Sequence, residues 1–384
     1  MLAERASDFI NLSRWLAAFV VVTSHLRQII MCDYPVIRQP GTMLKLFYFV
    51  TQLGHEAVMI FFVLSGYLVG GIAILRYRTR GFDLADYVGH RTARIYAAFF
   101  PALLVFGLLD MVGTAEFGGN GLYTHPLGIS SLGHAPVLGE SPADFLGNLV
   151  MLQTVVVPPF GSNGPLWSLA NEWWYYVFFG AAMTAVAARN FTIKAAAGVL
   201  ILGLLVVLPL SMTALGLIWL TGAAVAVYAA KGSWKPRLRL SLPIGIVVLI
   251  GARISHLGNI NFDVSNWRFL IDLATGLAYC LVLLSFHRPG KRLWLSAVHK
   301  QLAGFSYSLY LIHFPLMIFT VSLLNEILGL AFLGQPSGGR LIYYGAMLAF
   351  LCSSAWLFAQ FTELHTSKLR EILTRVSRPP VQRP

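Results

Sequence analysis

Two ionisable residues lie inside the first long apolar segment of the chain, in the run SRWLAAFVVVTSHL at residues 13–26. A charged side chain at membrane depth is costly, and it is usually retained where it faces a protein interior or a water-filled cavity. In a helix, the eleven residues from Arg14 to His25 turn through about 1100°, within about 20° of three full turns, and rise roughly 16 Å. The spacing therefore predicts one polar helix face that crosses much of a membrane. The alternative is that Arg14 snorkels to the interface and His25 is a structural hydrogen-bonding residue.

A carboxylate lies at a similar predicted depth in the segment GPLWSLANEWWYYVFF, residues 164–179. A buried carboxylate beside an imidazole orients the ring and raises its basicity, as a general base requires. We therefore predict a catalytic pair of His25 and Glu172, with pairing of Glu172 to an arginine or a tryptophan N–H as the alternative. The neighbouring aromatic residues are interpreted as a belt at the membrane interface rather than as a substrate platform: Trp167, Trp173, Trp174, Tyr175 and Tyr176.

A serine and several glycines occur together in FFVLSGYLVGG, residues 61–71. Small residues allow the close approach of a neighbouring helix or of a ligand. Helix packing is the favoured explanation, with ligand binding at Ser65 as the alternative.

Two basic or titratable motifs follow later in the chain. In RTARIY, Arg91 and Arg94 share a helix face. They can hold a phosphate through paired hydrogen bonds, although topology alone also places arginines there. In FSYSLYLIHFPL, residues 305–316, His313 falls near the middle of an apolar segment, where a lone histidine is more often structural.

The elements that carry these residues are predicted from composition and hydropathy. Hydrophobic residues make up 57% of the 384 residues and charged residues only 11%, whereas soluble proteins have about 25% charged residues. Windows long enough to cross about 30 Å of hydrocarbon lie at 10–31, 57–75, 95–113, 166–188, 193–211, 213–230, 240–254, 268–286, 302–324 and 341–361. The sequence therefore predicts an all-α, polytopic membrane protein with about ten transmembrane helices.

The distribution of lysine and arginine predicts the topology. Of the 28 basic residues, 21 fall on one side of the predicted spans, five fall on the other side, and Arg14 and Arg27 lie within the first span. By the positive-inside rule, both termini are cytoplasmic. The formal charge of +12 is therefore a topology signal, and nucleic-acid binding is not predicted.

The chain is predicted to form one membrane domain, residues 1–363, followed by a basic cytoplasmic tail, residues 364–384. The longest connection, 114–165, contains no lysine or arginine and is rich in glycine and proline, which predicts an ordered external loop or lid. The three cysteines and the histidines lack the spacing of metal ligands, so no metal site is predicted.

In combination and in order, these motifs resemble the acyltransferase-3 family of integral membrane O-acyltransferases. The matching pieces are the arginine and histidine of the first span, FFVLSG at 61–66, RTAR at 91–94, WSLANE at 167–172 and SYSLYLIH at 306–313. One departure is visible in the last span, which commonly ends in a glutamate followed closely by proline in this family. Here the chain reads FTELH at 361–365, which leaves the role of Glu363 open.

The resemblance implies a multi-pass enzyme of the bacterial inner membrane. It would transfer an acyl group, most often acetyl, from cytoplasmic acetyl-CoA to a hydroxyl of an extracytoplasmic carbohydrate or glycoconjugate, without a metal. Arg91 and Arg94, together with Arg14, are then candidates for binding the donor phosphates, and Ser65 is a further donor-binding candidate. The thin arm of the donor would run along the Arg14 to His25 face. The identity of the acceptor and the oligomeric state stay open.

The chemistry of such a transfer assigns roles to the remaining candidates. A sugar hydroxyl must lose its proton as it attacks, so His25 is predicted to be the general base, with Glu172 orienting it. The developing oxyanion needs hydrogen-bond donors, for which Ser65, Trp167 and His313 are candidates. Direct transfer is preferred over an acyl-histidine intermediate because it requires fewer steps.

Two other functions fit parts of the pattern. A secondary transporter of an anionic or acyl-bearing substrate would also place arginine, histidine and glutamate along a central path. Such transporters commonly show internal repeats, and none is detected here, so the transporter is the less favoured hypothesis. A transferase with a lipid-linked donor would be expected to use acidic residues that coordinate a metal near the membrane surface.

Overall fold

Helices dominate the computed structural model, which describes residues 4–124, 129, 139–232, 243–248, 250–251, 268–287 and 290–376. The helices are α1 (Glu4–Ile30), α2 (Thr42–Val50), α3 (Gly54–Ser65), α4 (Ile72–Arg80), α5 (Leu84–Phe117), α6 (Pro142–Leu149), α7 (Leu166–Ala187), α8 (Phe191–Val207), α9 (Leu210–Ala230), α10 (Arg268–Ser285), α11 (Ser296–Ala303), α12 (Ser306–Leu328), α13 (Gly338–Phe361) and α14 (Thr366–Val376). A π-helical turn, Gly66–Gly71, joins α3 to α4. The described residues contain isolated β-bridges but no β-strand, so the all-α prediction is confirmed.

Several of these helices are long and apolar enough to cross a membrane. Within the described ranges there are seven such runs: Glu4–Ile30, Thr42–Arg80, Leu84–Phe117, Leu210–Ala230, Arg268–Ser285, Ser306–Leu328 and Gly338–Ile372. Helix α8 is apolar but shorter, and α7 is 22 residues long. Nine of the ten predicted windows therefore coincide with helices, whereas the window 240–254 lies mostly outside the described residues. The chain is a multi-pass membrane protein.

One end of the helix bundle gathers segments that the charge pattern places on a common side. Arg292, which follows α10, donates to Asp8 near the start of α1, with an Nη2–Oδ1 distance of 2.8 Å. Arg94 in α5 forms an ion pair with Glu363 just after α13, with an Nη1–Oε1 distance of 2.8 Å. We call this end, with the starts of α1, α5 and α12 and the end of α13, the basic end.

The opposite end of the bundle gathers the connections that contain few basic residues. The backbone N–H of Cys32, which follows α1, donates to the carbonyl of Gly334 at 3.0 Å. Arg340 at the start of α13 donates from Nη1 to the carbonyl of Ile30 at 2.8 Å. The contacts at both ends agree with the predicted alternation of connections, and the cytoplasmic side of the basic end stays a prediction.

The described part of the predicted lid folds back between helices rather than covering the outside of the bundle. Helix α6 leads to a turn whose Leu149 carbonyl accepts a hydrogen bond from the Tyr96 hydroxyl of α5 at 2.7 Å. The Met151 carbonyl accepts from the indole N–H of Trp174 at 2.8 Å, and Met151 is fully buried. Residues 139–165 are therefore called the re-entrant segment below. The expected external lid is wrong for these residues, and residues 125–128 and 130–138 lie outside the described part of the chain.

The re-entrant segment is held by buried polar groups, which explains why a glycine- and proline-rich stretch is ordered. Asp110 of α5 accepts from the backbone N–H of Ser162 at 2.8 Å and from its hydroxyl at 2.7 Å. These bonds seat a turn in which Gly161 has a φ of +56°, a conformation that favours glycine. The amide of Asn148 bonds the backbone on the other side of the turn, donating to the carbonyl of Pro158 at 2.9 Å.

The glycines of the π-helical turn pack against α9. A Cβ at Gly66 would overlap the carbonyl oxygen of Trp219, and a Cβ at Gly71 would overlap the side chain of Ala226. Conversely, a Cβ at Gly222 of α9 would overlap the carbonyl oxygen of Val63. The two backbones approach this closely only because these positions lack side chains, as in other membrane helix pairs. The structure therefore supports helix packing, the favoured explanation of the FFVLSGYLVGG motif.

Candidate active site

Helix α1 contacts helices α3, α11, α12 and α13 and carries the two residues that first indicated a polar face. His25 is half-buried, and its Nδ1 lies 2.8 Å from Nε2 of His313 on α12. His313 is fully buried behind it. Both histidines were candidates from the sequence, but their pairing with each other was not predicted.

The sequence of α12 explains how His313 comes to face α1. Pro315 lacks a backbone N–H and its ring crowds the carbonyl four residues earlier, so the Leu311 carbonyl loses its helical partner. That carbonyl accepts instead from the side-chain N–H of Asn163 in the re-entrant segment, at 3.0 Å. In the same turn, Nδ1 of His313 lies 2.7 Å from the carbonyl oxygen of Tyr310. The histidine ring is thus anchored to its own helix, two residues before the proline.

Glu172 lies in a different cluster from His25, so the predicted His25–Glu172 pair is not formed in this structure. The Glu172 carboxylate accepts from the hydroxyl of Ser65 at 2.6 Å and also from the hydroxyl of Tyr176. The Ser65 oxygen in turn accepts from the indole N–H of Trp219 at 3.0 Å. The bonds of Ser65 tie α3, α7 and α9 together. The predicted geometry is wrong because the π-helical turn and the α9 contact place the Ser65 hydroxyl beside the carboxylate.

Arg14 lies one polar layer closer to the basic end. Its guanidinium interacts electrostatically with Arg94, Glu363 and Glu172. It forms no hydrogen bond or ion pair with any residue in the described ranges. The Arg94 charge is largely neutralised by Glu363, whose other oxygen accepts from the backbone N–H of Ser308 at 3.2 Å. Glu363 therefore joins α5 to the first turn of α12. This contact answers the question that the FTELH departure left open.

The two arginines of the RTAR motif are not equivalent. Arg94 has a carboxylate partner, and phosphate binding by both arginines stays a prediction. Arg91 is half-buried, and its guanidinium carbon lies 5.8 Å from the centre of the Tyr176 ring. The buried Nε of Arg91 has no hydrogen-bond partner. Of the two, Arg91 has the greater capacity to bind an added anion.

Of the aromatic residues after Trp167, Tyr175 and Tyr176 are buried and Trp173 and Trp174 are half-buried, so the predicted interfacial belt is wrong for the two tyrosines. Tyr175 is buried, and its hydroxyl donates to the carbonyl of Met212 at 2.9 Å. Trp174 bonds the re-entrant segment as described above, and Trp173 packs edge-on against Tyr96, with ring centres 5.5 Å apart. The long aromatic run therefore supplies internal hydrogen-bonding side chains.

Trp167 and His313, two predicted oxyanion donors, both contact other side chains in this structure. Trp167 is half-buried and its ring lies edge-on to Phe62, with ring centres 6.1 Å apart. Both ring nitrogens of His313 have protein partners, so neither is left for an oxyanion in this arrangement. Ser65, the third candidate, is bonded to Glu172 and Trp219.

Three residues that shape the site were missed in the sequence. Trp219 lies in an apolar helix without a chemical motif, and Asn163 lies in a polar turn typical of loops. Phe314 stands edge-on to both histidine rings, at ring-centre distances of 5.2 Å from His25 and 6.1 Å from His313. The signal that was available for Phe314 is its position between His313 and Pro315. The described residues contain no cluster of histidine, cysteine and acidic residues able to hold a metal ion.

The fold and the site define a class of protein: a multi-pass membrane protein with buried histidine, arginine and carboxylate groups inside its helix bundle. The sequence matches the family Acyl_transf_3, described as an acyltransferase domain, over residues 7–359. The chain therefore belongs to this acyltransferase family, and the predicted resemblance is confirmed.

Two curated relatives share part of the chain. An "O-acetyl transferase" of Shigella phage Sf6 is 28% identical over 181 residues, which cover 46% of this chain and 46% of that protein. "Acyltransferase MdmB" of Streptomyces mycarofaciens is 29% identical over 171 residues, which cover 43% of this chain and 36% of that protein. The match thus spans less than half the length of either relative. No solved structure matches the chain.

Proposed function

We propose that the protein transfers an acyl group, preferably acetyl, from a cytoplasmic coenzyme A thioester to a hydroxyl of an extracytoplasmic carbohydrate or glycoconjugate. One observation carries the proposal. Helix α1 presents the half-buried His25 and, on the same face, Arg14, which has no hydrogen-bonded partner among the described residues. The two residues are roughly 16 Å apart along the helix axis. The names of the two relatives support the reaction class. The charge pattern and the family favour the bacterial inner membrane as the location.

In this proposal, His25 is the general base. Its imidazole takes the proton of the acceptor hydroxyl while the hydroxyl oxygen attacks the thioester carbonyl. The C–S bond then breaks, and the leaving thiolate takes the proton from the imidazolium, which yields the ester and free coenzyme A. A positioned general base contributes about 10²–10⁴-fold to such a rate.

The donor is proposed to lie with its anionic end near the basic end of the bundle and its thioester near His25. Arg14 and Arg91 are the proposed phosphate ligands, because guanidinium groups bind phosphates through paired hydrogen bonds. Arg94 takes a supporting role, since its ion pair with Glu363 already neutralises it. Ser65 and Glu172, whose charge acts on Arg14, then belong to the donor-binding region and do not bond the general base.

Binding and transfer are separated by an experiment on the purified full chain in detergent. We expect the wild-type protein to bind radiolabelled acetyl-CoA and His25→Ala to bind it with similar affinity. We expect Arg14→Ala to weaken binding at least tenfold, because it removes a charge-assisted contact. Arg189→Ala, which removes an exposed arginine at the end of α7, is the matched control for lost charge. Failure of the wild-type protein to bind acetyl-CoA would favour the transporter hypothesis.

Transfer itself is measured in cells, where the native acceptor is present. Mass spectrometry of cell-envelope glycans with and without this gene is expected to show acyl esters that depend on the gene. His25→Ala is expected to abolish those esters while the protein stays in the membrane at normal abundance. Unchanged esters in His25→Ala would remove the histidine from the mechanism.

A further inference from the structure

We infer that His313 positions the proposed general base by fixing its tautomer. In this assignment, His25 carries its proton on Nδ1, and the lone pair of Nε2 is left for the acceptor hydroxyl. The catalytic meaning of the inference rests on the proposed function. The tautomer itself rests only on the hydrogen-bond geometry, so the two can be tested separately.

The positions of the protons on the two rings follow from the bond to the Tyr310 carbonyl. A backbone carbonyl oxygen only accepts hydrogen bonds, so Nδ1 of His313, 2.7 Å from the Tyr310 carbonyl oxygen, carries a proton. A neutral imidazole has one N–H, so Nε2 of His313 is an acceptor. The nitrogen that faces it at 2.8 Å, Nδ1 of His25, is therefore the donor. This assigns the lone pair of His25 to Nε2, for which the described residues provide no partner.

The geometry of the two rings supports a strong and directional bond. The planes of the His25 and His313 rings differ by 8°, and the ring centres are 5.1 Å apart. This separation is close to the sum of the N···N distance of 2.8 Å and the distance from each ring centre to its bonded nitrogen. The rings of His25 and His313 therefore meet edge to edge in nearly one plane, which makes the N–H···N bond nearly linear. Phe314 stands at 87° to the His25 ring and at 82° to the His313 ring, and it restricts rotation of both.

Burial distinguishes the roles of the two histidines. His313 is fully buried and both of its nitrogens are bonded to protein, so it has no lone pair for a substrate proton. His25 is half-buried and has one nitrogen left over. The hydrogen bonds therefore run from the Tyr310 carbonyl through His313 to His25, and the remaining nitrogen of His25 is left for the acceptor hydroxyl.

In this arrangement His313, rather than the predicted Glu172, orients the His25 ring. A carboxylate would stabilise the imidazolium formed during the reaction, whereas neutral His313 accepts a hydrogen bond without supplying a negative charge. The proton that His25 takes from the hydroxyl is therefore held weakly. It passes to the thiolate as the C–S bond breaks, and both histidines return to their starting protonation states.

The tautomer is tested by ¹⁵N NMR of the purified full chain labelled with [¹⁵N]histidine, at pH 8 in detergent. Protonated and unprotonated imidazole nitrogens have well-separated shifts, and the signal that disappears in His25→Ala assigns His25 among the ten histidines. We expect the Nδ1–H form in the wild-type protein. In His313→Ala we expect the Nε2–H form, which a free imidazole prefers.

Function is tested with the same variants through the acyl esters of the envelope glycans. We expect His313→Ala to lower transfer about 10²-fold or more, since loss of the correct tautomer costs up to about 10⁴-fold in Ser-His-Asp enzymes. His313→Gln keeps an acceptor near the Nε2 position and is expected to restore most of the transfer and the Nδ1–H signal. Binding of radiolabelled acetyl-CoA is expected to stay unchanged in both variants.

A matched control is available in a second histidine with the same bonding pattern. Nε2 of His287 accepts from the Tyr67 hydroxyl at 2.6 Å, and its Nδ1 lies 3.0 Å from the Leu283 carbonyl oxygen. His287→Gln is expected to leave both transfer and the His25 signal unchanged.

The outcomes separate the inference from the proposed function. A wild-type His25 with its proton on Nε2, or a His25 signal that does not respond to His313→Ala, overturns the tautomer assignment. If the signal responds but neither His25→Ala nor His313→Ala lowers transfer, the proposed general base fails, and the positioning role fails with it. A drop in transfer in His313→Ala that His313→Gln does not restore, with unchanged NMR signals, indicates a purely structural role and also overturns the inference.

Discussion

The two regions of the α1 face differ in the kind of polar group they hold. Around Arg14, the side chains are charged and come from several helices, and the strongest contact is the ion pair of Arg94 with Glu363. Around His25, the partner is a second imidazole, and no carboxylate bonds either ring among the described residues. The difference is consistent with the two parts of the proposed function, donor binding and proton transfer. The charged region suits an anionic ligand, whereas the imidazole pair suits the transfer of a proton.

The two regions are also held by different packing devices. In the charged region, the glycines of the π-helical turn bring α3 against α9 and place Ser65 within reach of Glu172. At the imidazole pair, Pro315 leaves the Leu311 carbonyl without its helical donor, and Asn163 of the re-entrant segment supplies the replacement hydrogen bond. Changes in one region should therefore leave the other intact, and this independence can be tested.

The largest expected effect comes from breaking the charged region with Glu363→Ala. This variant leaves Arg94 without its partner and removes the acceptor for the Ser308 N–H. Loss of one partner of a buried pair costs about 3–5 kcal/mol. Because the Arg94 side chain is 33% exposed, we expect about 3 kcal/mol, the lower end of that range. Thermal unfolding in detergent and acetyl-CoA binding are the measurements.

Glu363→Gln is the matched control for this prediction, since its amide oxygen still accepts hydrogen bonds. It should lose clearly less stability than Glu363→Ala. The His25 NMR signal should be unchanged in both variants. A shifted His25 signal would mean that the two regions are coupled, which contradicts the comparison.

A smaller effect is expected at the contact between α3 and α9. In Gly222→Ala, the new methyl group meets the carbonyl oxygen of Val63, so the helices must separate. Overpacking of this kind costs about 1–3 kcal/mol. Gly198→Ala in α8 is the control, because nothing lies within 4 Å of its added Cβ. The control should be neutral or stabilising by up to about 1 kcal/mol, and equal destabilisation of both variants would contradict the close contact.

Trp219→Phe sharpens the comparison by removing one hydrogen bond from the charged region while keeping most of the ring. The Ser65 oxygen loses the indole donor but keeps its bond to Glu172. We expect a loss of about 0.5–1.5 kcal/mol in unfolding free energy. A larger loss in Trp219→Phe than in Gly222→Ala would show that this hydrogen bond, rather than the close helix contact, dominates the packing here.

The smallest effect concerns His287, a neutral histidine that the mechanism does not use. Burial lowers the pKa of His287 from its usual value, because the charged form is disfavoured there. As pH falls below the ordinary histidine pKa of about 6.5, the unfolded chain binds a proton that the folded chain does not, so stability decreases. We expect His287→Gln to lose less stability than the wild-type protein between pH 8 and pH 5 in thermal unfolding. Identical slopes for the two proteins would contradict the lowered pKa.

Much of the fold was predictable because long apolar segments leave a membrane chain few options. The alternation of basic connections agrees with contacts such as that between Asp8 and Arg292. The re-entrant segment was not predictable, because its glycine and proline content is also typical of an external loop. What holds it is the burial of specific polar groups such as Asp110, and hydropathy does not report their partners.

The candidate site was predictable in its members but not in its pairing. Helical geometry placed Arg14 and His25 on one face, and their roles in catalysis stay predictions. Depth alone suggested that Glu172 meets His25, but depth does not fix the direction in which a side chain points around its helix axis. The close contact of α3 with α9 and the pairing of His25 with His313 accompany the observed directions, and neither is visible from residue spacing.

The missing backbone hydrogen at Pro315 has a mechanical consequence. It frees the Leu311 carbonyl near the start of a membrane helix, and Asn163 of the re-entrant segment donates to it, two residues from His313. A displacement of that segment would pull on the same helical turn that carries the imidazole. The re-entrant segment therefore has a direct hydrogen-bonded linkage to the helical turn that aligns the two rings.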